Sequence, residues 1–214
     1  RKGDVRSRPE SLFLVVEAIP ALTAPTEEIS GGRGFWSYVA PLVFGTVVAS
    51  LIAMVLATPI AVGIALVVSH YAPRRLGKSI GFVIDLLAAV PSVVFGMWGM
   101  AVFAPRLVPL FDWLEKYLGF VPLFADASST GRTLFTASIV LAVMILPIIT
   151  SVSREVFLQT PRLHEEAALA LGATQWEMIR TAVLPFGMPG VIGGTMLGLG
   201  RALGETMAVA IILA

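Results

Sequence analysis

The sequence predicts an all-α, polytopic membrane protein, and three observations carry that prediction. Of 214 residues, 57% are apolar and only 14% charged, with a mean hydropathy of +0.87, whereas soluble domains run at about 45–50% apolar and about 25% charged. The apolar excess is gathered into four runs near the length of about 20 residues that a helix needs to cross a bilayer. Between the last two runs lies a polar, well-capped helix–turn–helix that no apolar face accounts for.

The same composition narrows the function. A net charge of +1 gives no case for nucleic acid. Cysteine is absent, which excludes disulfides and thiolate chemistry. His70 and His164 lie far apart in sequence, both in loops, which argues against a histidine metal site; neither metal nor cofactor is expected. Residue 1 is Arg, and the chain stops within the apolar run Ile211-Ile212-Leu213-Ala214, so it reads as a fragment truncated at both ends. Ser11–Val16 is too short for a signal core, and Glu17 interrupts it.

Taken in order, residues 1–35 form an extracytoplasmic segment and 36–214 the membrane domain. The first span, 43–68, is uncharged and holds Pro59. The second, 80–103, carries Asp85 near its start and Pro91 in its middle. Residues 107–118 contain Asp112, Glu115 and Lys116, which argue against a span. Leu107, Leu110, Phe111, Leu114 and Leu118 recur there at helical spacing, which suits an interfacial helix. The third span, 134–152, holds Pro147, and the fourth, 188–214, is apolar apart from Arg201 and Glu205. Proline is tolerated inside spans because neighbouring helices satisfy the freed carbonyls. Trp36, Trp98 and Phe103 lie near span ends and suit interface anchors.

Orientation follows from the loops. Ser69–Ser79 carries Arg74, Arg75 and Lys78 with no acid, so it reads as cytoplasmic. The loop 153–187, two spans later, falls on the same side and carries Arg154, Arg162 and Arg180. Asp85, near the cytoplasmic end of its span, reads as hydrated or paired with a loop arginine, the alternative being a proton-relay group.

Thr160-Pro161 predicts a helix start, with Thr as N-cap and Pro at the first helical position. That helix runs to about Leu171, where Gly172 ends it. Thr174-Gln175-Trp176-Glu177 then predicts a capping box opening a second helix, and Leu184-Pro185 returns the chain to the membrane. Ala167, Ala168 and Ala170 leave a smooth face for a partner's groove. The alternative is a capped interfacial hairpin with no partner. The series Glu166-Ala167-Ala168, three residues, Gly172, then Leu184-Pro185 resembles the EAA loop by which ABC importer permeases dock on an ATPase. Ala182 stands where that family carries Ile.

In the last span, Arg201 and Glu205 stand four apart and share one face of a continuous helix. A charge costs roughly 2.5–3.5 kcal/mol at a bilayer centre, so both should face a pathway or one another. A self-neutralising ion pair is the plain alternative. Gly190, Gly194 and Gly198 form one row of close-packing positions, and Gly200 with Gly204 a second. Gly193–Ala208, containing Gly200-Arg201-Ala202-Leu203-Gly204-Glu205-Thr206, together with Leu86–Gly96, resembles phosphate importer permeases of the PstC type.

That resemblance covers most of 35–214. It implies the MetI-like fold of type I ABC importer permeases, with six spans once one is added at each end. Arg201, Glu205 and Thr206 would then line the phosphate pathway, and Glu166, Ala167, Ala168, Gly172, Leu184 and Pro185 would couple to the ATPase. The implied partners are a second, PstA-like permease subunit, a dimer of ATP-binding subunits, an extracytoplasmic phosphate-binding protein and membrane lipid. The setting is a bacterial or archaeal inner membrane. The chain would be a transport subunit rather than an enzyme. Glu205 would accept a hydrogen bond from a protonated phosphate oxygen, which sulfate lacks at neutral pH. Two rival readings are an ABC importer for another oxyanion or nutrient, and a secondary transporter or channel. Gly77-Lys78-Ser79 resembles the end of a nucleotide-binding loop, but Ala72 stands where its leading glycine belongs.

Overall fold

The computed structural model describes residues 35–118, 133–205, 208–209 and 212, and the statements below concern those residues. The expected extracytoplasmic segment 1–35 falls almost wholly outside them, as does Thr206. The chain divides into two units, 1–46 and 47–214. Of the first, only the opening turns of a helix are described.

Every regular element among the described residues is helical. Helix α1, Phe35–Leu66, continues through a π-helical turn at Val67–Tyr71. Then follow α2, Arg74–Ala88, and α3, Ser92–Trp98, which a π-helical turn joins to α4, Ala104–Leu118. The remainder is α5, Leu134–Leu158, α6, Arg162–Ala170, α7, Gln175–Met178, a π-helical turn at Ile179–Val183, and α8, Leu184–Leu203.

Four stretches are long and apolar enough to cross a membrane: Val39–Tyr71, Ser92–Leu110, Leu134–Leu158 and Gln175–Leu203. Two expectations are corrected here. The span placed over 80–103 is two helices, because Pro91 has no N–H and ends α2 at Ala88. The crossing-length stretch therefore starts at Ser92. The helix placed at 107–118 starts earlier, at Ala104, in direct continuation of α3; the crossing-length stretch Ser92–Leu110 covers its first turns, and Pro109 sits inside it without ending it.

Helix α5 is the centre of the unit 47–214. Its apolar window is 61% buried, against 17–33% for the other three. Ala49, Ala53, Ala57 and Ala61 are wholly buried and cluster with Leu141, Ile145 and Ile149 of α5. Glycines do the same for α8. A Cβ at Gly187 would stand 2.4 Å from the Phe157 ring, and one at Gly190 would stand 2.3 Å from Val156 Cγ2. Gly194 and Gly198 face Val152 and Ile149 at 3.1 and 3.0 Å. The row Gly190/Gly194/Gly198 thus packs on α5. The second row does not: a Cβ at Gly200 meets nothing within 4 Å, and one at Gly204 meets only carbonyls of its own helix. Several buried hydroxyls are satisfied within their helices, whereas those of Thr58, Ser153 and Thr160 find no partner. Ser138, Thr150 and Thr195 each donate to the carbonyl four residues back, at 2.7–2.8 Å.

Candidate functional site: a coupling hairpin and two intramembrane charges

The polar hairpin is built by local chemistry. The predicted N-cap is displaced by one residue: Pro161 is the N-cap of α6, and the buried Thr160 hydroxyl caps nothing. The far end closes as a Schellman turn, with Gly172 N–H donating to Leu169 O at 2.9 Å and Ala173 N–H to Ala168 O at 3.2 Å. That turn requires the left-handed conformation, and Gly172 has φ +86°. Thr174 then forms the reciprocal capping box. Glu177 N–H donates to Thr174 Oγ1 at 3.3 Å, and Thr174 N–H donates to Glu177 Oε2 at 2.8 Å. The hydrogen bonds from Thr174's backbone and hydroxyl hold the exposed Glu177 carboxyl below its usual range.

The hairpin rests on the bundle along one side. Ala168 and Leu184 pack against a buried cluster of Ala65, Leu66, Phe157, Met178, Ile179 and Val183. His70, in the π-helical turn after α1, reaches Glu165 with 3.5 Å between Nε2 and Oε1. Ser69 Oγ sits 2.7 Å from His70 Nδ1. The two loops that charge assigned to one side of the membrane are therefore in contact.

The six expected coupling residues divide between surfaces. Ala167, Ala168 and Pro185 line a groove of about 470 Å³ between the two arms, together with Ala182. Glu166 opens onto a cleft of about 400 Å³ beside His70 and Glu165. Gly172 is exposed at the tip, and Leu184 is half-buried behind the groove. Exposed apolar side chains stand at both ends of α6: Leu171 at the tip is 89% accessible and Leu163 at the far end 76%.

The intramembrane charges are arranged differently from the expectation. Helix α8 ends at Leu203 with Gly204 as its C-cap, so Arg201 and Glu205 do not share a helical face. Nor do they pair. Arg201 donates from Nη1 to Ala88 O at 3.1 Å and from Nη2 to Val90 O at 3.2 Å. Glu205 Oε1 accepts from Ala208 N–H at 3.0 Å, capping the helical residues 208–209. Each charge is answered by backbone at a helix end. Arg201 meets the electronegative C-terminus of α2, and Glu205 meets an N-terminal amide. The expected span 188–214 is therefore broken at Gly204–Glu205. Asp85 is exposed, in keeping with the hydrated alternative, and its hydrogen-bond partner is Ser151, whose Oγ donates at 2.5 Å, rather than a loop arginine.

The carbonyl partners of Arg201 could not be read from the sequence, because a carbonyl has no residue identity. The His70–Glu165 contact was equally hidden, since nothing local links the two positions.

Residues 57–214 match the family described as binding-protein-dependent transport system inner membrane component. The chain belongs to that family. Its members are inner-membrane transport components, and with four apolar helices of crossing length this family member is a multi-pass membrane protein with the MetI-like permease fold. Among curated relatives it is 52% identical to the phosphate transport system permease protein PstC 2 of Mycobacterium tuberculosis (strain ATCC 25618 / H37Rv), over 95% of this chain and 66% of the relative. It is 48% identical to PstC of Mycobacterium leprae (strain TN), over 95% of this chain and 67% of that protein. It is 44% identical to PstC of Pasteurella multocida (strain Pm70), over 82% of this chain and 56% of that protein. The family member described here thus spans about two-thirds of the length of the first two.

Proposed function

We propose that this chain is a permease subunit of an ATP-driven phosphate importer and forms one half of its translocation pathway. Its relatives' printed names supply the substrate. The observation that carries the mechanism is the hairpin: a doubly capped tip that exposes Leu171 and Trp176 beside an alanine-lined groove. Apolar side chains on an otherwise polar turn are satisfied by a protein groove rather than by water. The partner is an ATP-binding subunit dimer on the cytoplasmic side. A second, PstA-like permease subunit, an extracytoplasmic phosphate-binding protein and lipid complete the assembly in a bacterial or archaeal inner membrane.

Arg201 is the cation of the pathway. A guanidinium carries five N–H donors in a planar fork suited to an oxyanion, and two of its nitrogens are engaged by carbonyls in this structure. Glu205 is buried with one carboxylate oxygen engaged by Ala208. Its other oxygen is the acceptor for a protonated phosphate oxygen. Thr206, beside it in sequence, belongs to the same pathway.

The test is reconstitution of the full-length chain with its candidate partners, scoring ATP-driven uptake of labelled phosphate against sulfate and molybdate. Uptake that needs ATP and is competed only by phosphate is the expected result. Uptake without the ATPase, or equal competition by sulfate, overturns the reading.

A further inference from the structure

The break between α2 and α3 has a specific hydrogen-bond deficit. Val90 N–H turns back to Leu87 O at 3.2 Å, and Val94 N–H goes to Pro91 O at 3.1 Å. In an unbroken helix Val90 O would receive Val94 N–H, and Ala88 O would receive Ser92 N–H. Proline at 91 ends that ladder. Arg201, more than a hundred residues away, supplies one N–H to each of these two carbonyls. One planar fork thus spans two of the acceptors that the break sets free.

From this geometry we propose that Arg201 is a substrate-released latch: the Ala88 and Val90 carbonyls occupy its fork until an oxyanion exchanges for them. The inference rests on the reading of Arg201 as the pathway cation. A tetrahedral oxyanion offers the guanidinium the same two-oxygen acceptor geometry as the carbonyl pair, with full negative charge in place of dipoles. The carbonyl bonds are already charge-assisted through the guanidinium, and an anionic acceptor adds its own charge and a bidentate match to that. The exchange therefore runs forward. It also leaves two carbonyls without a donor in an apolar setting, which costs free energy and keeps the net affinity low enough for release. Ala88, Val90 and Arg201 are all half-buried rather than sealed, so an ion can reach the fork.

Releasing the break moves more than the break. Gly96, one turn into α3, lies so close to Ala208 that a Cβ would stand 2.8 Å from its Cα. Ala208 is the residue whose N–H is held by Glu205. Arg201, the Pro91 break and the segment capped by Glu205 form one connected corner, so occupancy at Arg201 is read at Glu205 through α3.

The chain contains no cysteine, so a single reporter can be placed at Ala89, which is exposed. In the assembled transporter, the labelling rate of Ala89→Cys by a small polar maleimide is measured with and without phosphate-loaded binding protein. The latch predicts that phosphate raises the rate about tenfold, the scale set by hydrogen bonds from a charged donor. It also predicts that Arg201→Lys, which keeps the charge but lacks the fork, labels at the raised rate with no phosphate present. Val93→Cys, just past the break and also exposed, is the second reporter if Ala89→Cys fails to assemble. A rate indifferent to phosphate in the wild-type background, or one that Arg201→Lys leaves low, overturns the latch. If uptake prefers another oxyanion while Arg201→Lys still labels fast, the substrate reading fails and the latch stands.

Discussion

His70 Nε2 lies 3.5 Å from Glu165 Oε1, joining the end of the first apolar helix to the first helix of the hairpin. Helix α6 buries none of its residues, so this contact, with the packing of Ala168, ties it to the bundle; in the proposed importer these ties would carry its motion. At 3.5 Å between heavy atoms, with the side chains 10% and 25% accessible, a single such contact contributes about 1 kcal/mol. His70→Ala and Glu165→Ala should each lower ATP-driven uptake by up to about fivefold, the factor equivalent to 1 kcal/mol. The double variant should be no worse than either single one, because both remove the same contact. Full-rate uptake in both single variants would exclude this tie from coupling.

The glycines of α8 give a graded stability series. At Gly190 a methyl group would sit 2.3 Å from Val156 Cγ2, and at Gly187 2.4 Å from the Phe157 ring. Both neighbours belong to the packed α5, so neither can give way freely. Alanine at either position should cost about 1–3 kcal/mol by overpacking. Gly200 and Gly193 meet nothing within 4 Å, and alanine there should stabilise by up to about 1 kcal/mol through helix propensity. Thermal unfolding of the four variants in detergent checks the order.

That series also marks what the sequence could and could not reveal. The Gly190/Gly194/Gly198 row was legible because close helix packing leaves a four-residue period. The Gly172 turn and the Thr174–Glu177 box were legible because their bonding is between near neighbours. The end of α8 was not. Gly200 and Gly204 resemble the packing row, and what marks the stop is the Glu205 carboxylate reaching Ala208 N–H. Arg201 looked like half of an ion pair because sequence displays side-chain charges and conceals free carbonyls. Pro91 was visible as a proline, but whether it kinked or broke the span depended on a donor arriving from α8. The buried Ala49/Ala53/Ala57/Ala61 stripe was hidden inside a run of uniformly high hydropathy.

At the hairpin tip, Gly172 holds φ +86°. Alanine there should destabilise the turn by about 1–2 kcal/mol, the left-handed penalty of a Cβ. Thr174→Ala removes the adjacent cap and should cost about 1 kcal/mol. Hydrogen exchange at the amides of residues 172–178 reports both losses locally, and neither should move the unfolding of α5. Because Thr174's hydrogen bonds lower the Glu177 pKa, the stability they contribute is present above the ordinary carboxylate pKa. It is lost as pH falls through the lowered value. Protection at the tip, referenced to the intrinsic exchange rate at each pH, should therefore fall on acidification in the wild type and lose that dependence in Glu177→Gln.

Asp85 separates a structural role from a proton-relay role. Its carboxylate accepts from Ser151 Oγ at 2.5 Å, joining α2 to α5 one helical turn from Gly81, where Arg154 covers the helix surface. The site is exposed on the α2 side, so the bond falls at the low end of the range for charged partners, about 1.5 kcal/mol. Ser151→Ala should lower stability by that amount. Asp85→Asn keeps an acceptor oxygen for the same hydroxyl and should cost less. Transport should follow stability in both variants. A proton relay predicts the opposite order, because Asp85→Asn can no longer bind and release a proton while Ser151→Ala leaves the carboxylate in place. Measuring uptake and thermal unfolding together on the two variants decides between them: uptake abolished in a fully stable Asp85→Asn protein would establish the relay and remove the structural reading.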